Sequence, residues 1–374
     1  EFSDLRRRMT IPFGPKEFMS RMKEEPKILS TAIALPPYTR PTEEILPYVD
    51  MWLADQPERF RKKVNRIFRY AKVDRRYSVM DIGEVFQMTS FAEKNNFFLE
   101  KSIDLAEQAL MKALDKAKLV PQDIDIIITV CCTAFMIPSI DAYLINRLRM
   151  KQDVIRLPVT EMGCAAGISG LIYAHNLLKA NSGKRAAVIA VESPTSNFQL
   201  DDYSMTNMVC AAIFGDGAAA AILGYDDRPG PTIKDSEMYH FYDEIRMMGY
   251  DVKNSGFHMV LDPQVPQKIE QHFHQILYSF LEKNQLSVED INHFIFHPGG
   301  KKIVEIVDGM LADMGKNINE TKEVLSQYGN MSSATVLYVL DRYLDKEIPL
   351  DDLGIMLSFG PGFSAQRVLL RWEA

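Results

Sequence analysis

The chain repeats itself. "LVPQDIDIIITVCC" (119–132) lies over "LSVEDINHFIFHPG" (286–299) at a displacement of 167 residues. Each is a helix-ending Leu, an acidic turn and an apolar strand of about six residues. The helices feeding them also match, Leu110, Leu114 and Lys116 against Leu277, Leu281 and Lys283. "GCAAGISGLIYA" (163–174) lies over "GNMSSATVLYVL" (329–340) at 166, and "RAAVIAVES" (185–193) over "DLGIMLSFG" (352–360) at 167. A nearly constant displacement favours two copies of one βα unit, joined near "GYDDRPGP" (224–231), over the ordinary recurrence of strand–helix units in α/β chains. The length of 374 residues gives room for two cores. We expect an α/β chain with one half over 28–226, a second over 227–374, and a charged N-terminal flank, 1–27, carrying "DLRRR" and "SRMKEEP".

The net charge of −7 argues against a general nucleic-acid binder. No apolar run approaches the roughly 18–20 residues of a membrane span, and no secretory signal opens the chain. The cysteines are Cys131, Cys132, Cys164 and Cys210. None forms a C-x-x-C pair, so neither zinc nor a disulfide framework is expected, and a reducing, cytoplasmic setting fits. His272 and His274 stand two apart on a predicted helix and share no face for a metal.

The repeat brings chemistry together. It places Cys164 and Asn330 at matching helix starts, and His297 at the end of a second-half strand, where sites form in α/β sheets. A helix N-terminus and an imidazolium each favour a thiolate and are expected to lower the pKa of Cys164. His297 and the Asn330 amide can donate to a developing oxyanion. The small neighbours Gly163, Ala165, Ala166 and Gly167 read as clearance for an acyl group on sulfur. Each residue also has an ordinary reading alone: packed cysteine, structural histidine, N-cap asparagine.

Residues 59–76 hold nine basic side chains against one acid, Asp74. Arg59, Lys62, Arg66 and Arg69 follow helical spacing opposite Phe60, Val64, Ile67 and Ala71. The cluster is either a solvated face or a site for coenzyme A phosphates or an acidic carrier protein. "FGDGAAAA" (214–221) lacks the lysine of a phosphate loop and reads as a tight turn before a strand.

"EMGCAAGISGL", "FGDGAAAAIL", "FHPGGKKI", "YGNMSSATVL" and "SFGPGFSAQ" together resemble the chalcone and stilbene synthase family, the type III polyketide synthases. The resemblance implies a thiolase fold with duplicated halves in αβαβα layers, acting as a cytoplasmic homodimer. It implies an acyltransferase that uses coenzyme A thioesters as substrates, with no cofactor or metal. Cys164 would carry the growing chain, and His297 and Asn330 would hold the thioester oxygen during malonyl-CoA decarboxylation and condensation. Phe214 and Phe257 match the family's gatekeepers, and Cys132, Ile137, Asn197 and Ser332 match cavity positions. Arg59, Lys62 and Arg66 match the coenzyme A-binding bases loosely, because this chain has about three extra residues before "RRYSV".

Plant members carry threonines at Cys131 and Cys132, and glycine at Ser358. Ile137 replaces a methionine that reaches the partner's cavity, and Pro194 and Asn197 replace threonines. An aliphatic starter is therefore expected over an aromatic one, cyclised to a pyrone, resorcinol or phloroglucinol. The missing initiator methionine and the charged flank also resemble the C-terminal domain of the Steely hybrids. That likeness implies upstream fatty acid synthase domains and a carrier-protein donor. Two rival readings stand: a ketoacyl synthase III-like single condensation, and a non-catalytic acyl-binding dimer scaffold.

Overall fold

A computed structural model describes residues 25–374; most of the 1–27 flank lies outside the described residues. The first half carries β1 (Lys27–Ala34), β2 (Tyr38–Pro41), β3 (Arg75–Ser78), β4 (Ile126–Val130), β5 (Ile155–Val159), β6 (Ala186–Glu192) and β7 (Gly217–Gly224). The second carries β8 (Gly230–His240), β9 (Met248–Lys253), β10 (Gly256–Leu261), β11 (Ile291–Phe296), β12 (Leu353–Gly360) and β13 (Ser364–Glu373). Five helices position the site: α1 (Glu58–Tyr70), α2 (Phe91–Ala117), α3 (Ala166–Ala180), α4 (Val265–Lys283) and α5 (Thr335–Leu344).

The repeat is visible as topology. The first half runs β4-β6-β7-β1 and the second β11-β12-β13-β8, with the same directions throughout. The first pair is parallel in each half and the other two antiparallel. β5 extends the first ladder beyond β4. The ladders meet through one residue pair, Lys27 with Thr232.

Strand alternation sorts the apolar residues into layers. Ile126, Ile128 and Val130 face a central core with Ala219, Ala221, Met356 and Val368. That core also holds Ile168 and Leu171 of α3 and Val336 and Leu340 of α5, so these two helices lie between the ladders. Ile127, Ile189 and Ala220 face outward onto Ala106, Leu110 and Ala113 of α2. Phe294, Phe296 and Leu357 face outward onto Ile269, Phe273 and Ile276 of α4. The order is helix, sheet, helix, sheet, helix, as the resemblance implies. β7 contains four consecutive alanines, poor strand formers, yet all are fully buried. Helices cover both faces of this strand, so close packing outweighs local preference.

Candidate active site

Cys164 sits in a tight 3-10 turn, Gly163–Ala165, that runs directly into α3. Gly163 has φ +51°, and a Cβ there would lie 2.7 Å from the Pro361 ring. Only glycine fits both constraints. A Cβ on Gly167 would lie 2.2 Å from the Ser333 carbonyl oxygen, and one on Gly360 would lie 2.6 Å from the Ala165 Cβ. The small residues therefore let the two halves approach at Cys164. This corrects their reading as acyl clearance. The Ser358 hydroxyl donates to the Cys164 carbonyl at 3.1 Å, tying β12 to the same turn.

His297 follows β11, its backbone N–H donating to Leu357 O at 2.9 Å. The residue is 3% exposed, and neither ring nitrogen has a hydrogen-bond partner among the described residues. Asn330 is also buried. It is not at the start of α5: that helix begins at Thr335, after a 3-10 turn over Ser332–Ala334. The helix starts are thus 169 residues apart, not 166, because the turn after Gly329 is longer. Asn330 Oδ1 accepts from Ser332 N (2.8 Å) and Thr335 Oγ1 (3.3 Å), while Nδ2 donates to Gly299 O (3.1 Å). One amide proton remains for a ligand. A backbone bridge joins Asn330 to Phe214.

Cys164, His297, Asn330 and Phe214 line one pocket with about 500 Å³ of empty space, open solvent included, and Met248, Met259 and Phe359 complete its apolar walls. Burial pushes the Cys164 thiol up to about 11; Ser332 and Asn330 oppose this, and the Glu192 charge adds to it. Burial likewise holds the His297 imidazole down to about 3. Each group alone is thus kept neutral, against the lowered thiol pKa expected from the helix end and an imidazolium. Moving the thiol proton to the free imidazole nitrogen creates no net charge, so the two can ionise together where neither does so alone.

The other sequence candidates separate. Ser332 Oγ lies 3.5 Å from Cys164 Sγ and 3.1 Å from Cys132 Sγ, linking both thiols. Its φ of +48° is a strained value for a non-glycine residue. Phe257 and Asn197 line a second, solvent-open cavity with about 1060 Å³ of empty space. Phe214 and Met259 line both cavities. Trp52, Phe68, Phe86 and Phe198 make the larger one mainly apolar. Ile137 is 83% exposed and lines neither cavity. Arg59, Lys62 and Arg66 are exposed on α1. Lys62 pairs with Glu58 at 2.7 Å, and Arg66 lies over the Tyr70 ring.

Sequence reasoning missed Glu192, fully buried at the end of β6. It accepts from Cys132 N at 3.1 Å, Thr133 Oγ1 at 2.8 Å and Ser333 Oγ, binding the first half to the start of α5. The signal was present, since Glu192 is an acid closing the otherwise apolar run "AAVIAVE". Burial raises its pKa, and those hydrogen bonds counteract the shift.

Two family models match the chain: "FAE1/Type III polyketide synthase-like protein" over residues 85–249, and "Chalcone and stilbene synthases, C-terminal domain" over 243–372. The chain is 30% identical over 348 residues to phloroglucinol synthase of Pseudomonas fluorescens, covering 91% of this chain and 98% of that protein. Its structure is similar to that of 1,3,6,8-tetrahydroxynaphthalene synthase from Streptomyces coelicolor, with TM-score 0.88 and 28% identity over 93% of this chain and 99% of the other. It is also similar to the C-terminal type III domain of Steely1, a type I/III hybrid from Dictyostelium, with TM-score 0.87 and 29% identity over 94% of this chain and 100% of that one.

Proposed function

Because the chain belongs to the type III polyketide synthases, acyltransferases of thiolase fold that use malonyl-CoA and acyl-CoA, we propose that it extends an aliphatic starter held on Cys164. The observation carrying this reading is the single pocket lined by Cys164, His297 and Asn330, opening beside a larger apolar cavity across Phe214. His297 takes the thiol proton, the thiolate attacks the starter thioester, and coenzyme A leaves with a proton. Malonyl-CoA then loses carbon dioxide. Its enolate oxygen accepts from His297 and from the spare Asn330 N–H, and its carbon attacks the acyl-cysteine. The leaving Cys164 thiolate is ready to reload, and repeated cycles give a chain that closes to a pyrone, resorcinol or phloroglucinol. Decarboxylation generates the carbanion, so no strong base is needed and coenzyme A thioesters suffice as substrates.

Arg59, Lys62 and Arg66, exposed together on α1, suit the phosphates of coenzyme A or an acidic carrier protein. A carrier would be supplied by upstream fatty acid synthase domains. The exposed Phe135 and Ile137 suit burial in a homodimer, and four free thiols suit the cytoplasm. Malonyl-CoA supplied with acyl-CoAs of graded length, followed by mass spectrometry, tests the reading. Cyclised products from more than one extension, best with aliphatic starters, are expected; 3-ketoacyl products alone would contradict it.

A further inference from the structure

Among the described residues the hairpin of β9 and β10 pairs only with itself, apart from the main sheet. An isolated two-stranded ladder is marginally stable, so its position depends on what ties it down. Yet it lines both cavities: Tyr250, Phe257 and Met259 face the larger one, and Met248, Met259 and Leu261 face the Cys164 pocket.

Two side-chain braces hold its turn, beside a backbone bond from Phe91 N to Asn254 O at 3.4 Å. Lys94, in the first turns of α2, is 3% exposed. Its ammonium donates to Phe198 O (2.8 Å), Ser255 O (3.1 Å) and Gln199 Oε1 (3.3 Å). All three acceptors are neutral carbonyl oxygens, and burial lowers the lysine pKa to about 8. A lysine so costly to bury is satisfied by joining the cavity wall at 198–199 to the hairpin turn. The second brace runs from Asp202 Oδ2 to His258 Nδ1 (3.3 Å), and from His258 Nε2 to Ser255 Oγ (2.8 Å). His258 thus joins the Asp202 carboxylate to the hairpin turn through its two ring nitrogens. Gln199 completes the set, its Nε2 donating to Phe257 O at 3.2 Å.

We propose that Lys94, Asp202 and His258 are positioning residues that fix the β9–β10 hairpin and so set which starter chain the enzyme accepts. The inference rests on the larger cavity receiving the starter chain. None of the three lines either cavity, so they act through Phe257, Met259 and Tyr250.

The test compares wild type with Lys94→Met, Lys94→Arg and Asp202→Asn, using acyl-CoA starters of graded length. In Lys94→Met and Asp202→Asn the kcat/KM ratio between the best starter and one about four methylenes shorter falls about tenfold, mainly through KM. Release of carbon dioxide from malonyl-CoA without starter stays at the wild-type rate, and Lys94→Arg recovers most of the ratio. A general loss of structure would lower both activities together. Should Lys94→Met not fold, Asp202→Asn, at a partly exposed position, decides alone. A folded variant that keeps the wild-type ratio overturns the inference. A wild type indifferent to starter length overturns the cavity reading itself, and the inference with it.

Discussion

Burial favours the neutral thiol of Cys164 and the uncharged imidazole of His297, so in the proposed mechanism the nucleophile is activated by a proton shift within the pocket. This gives a signed pH dependence. A thiol with raised pKa gains thiolate only as pH climbs toward that value, unless the imidazole takes the proton. In His297→Ala, alkylation of Cys164 by iodoacetamide therefore slows at least about tenfold at pH 7 and keeps rising into the alkaline range. In the wild type the same profile levels off at lower pH; superimposable profiles would exclude the transfer. Asn330→Ala removes one oxyanion donor and is expected to slow malonyl-CoA decarboxylation by about 10²–10³-fold, measured as released carbon dioxide. Cys164, His297 and Asn330 were legible as a group because the repeat set them near one another, although it put Asn330 at the start of α5, which begins at Thr335. Glu192 was not, because one acid in a buried strand acquires meaning only when Cys132, Thr133 and Ser333 converge on it.

Among the elements, the meeting of the α3 and α5 starts controls the site. Gly167→Ala drives a methyl into the Ser333 carbonyl, and relief requires the two helix starts to separate. The expected cost is about 1–3 kcal/mol, read as a lower denaturant midpoint at unchanged slope, with product formation lost more steeply than stability. Strands, helices and the duplicated order were readable from apolar periodicity. The register at the second helix start was not. "GCAAGISG" and "GNMSSATV" are runs of small residues that slide over each other with little penalty, so overlay concealed the longer turn before Thr335. The β9–β10 hairpin was also unreadable as a unit, since the polar contacts that hold it come from α2 and the 198–202 segment.

For the molecule as a whole, a basic face on a chain of net charge −7 is an electrostatic asymmetry. Reversing Arg59, Lys62 and Arg66 to Glu together is expected to raise the KM for malonyl-CoA at least about tenfold with kcat little changed, and to flatten the dependence on salt. The duplicated fold delivers Cys164 from one half and His297 and Asn330 from the other. In the proposed mechanism this divides the reaction between them, the acyl chain held covalently on the first half and the enolate stabilised by the second. Malonyl-CoA labelled in its free carboxyl tests that division most directly, with labelled carbon dioxide counted and the unlabelled product measured in parallel by mass spectrometry. Cys164→Ala should still release labelled carbon dioxide while forming no product, and His297→Gln should lose both. Undiminished decarboxylation in His297→Gln, or product from Cys164→Ala, would contradict the account.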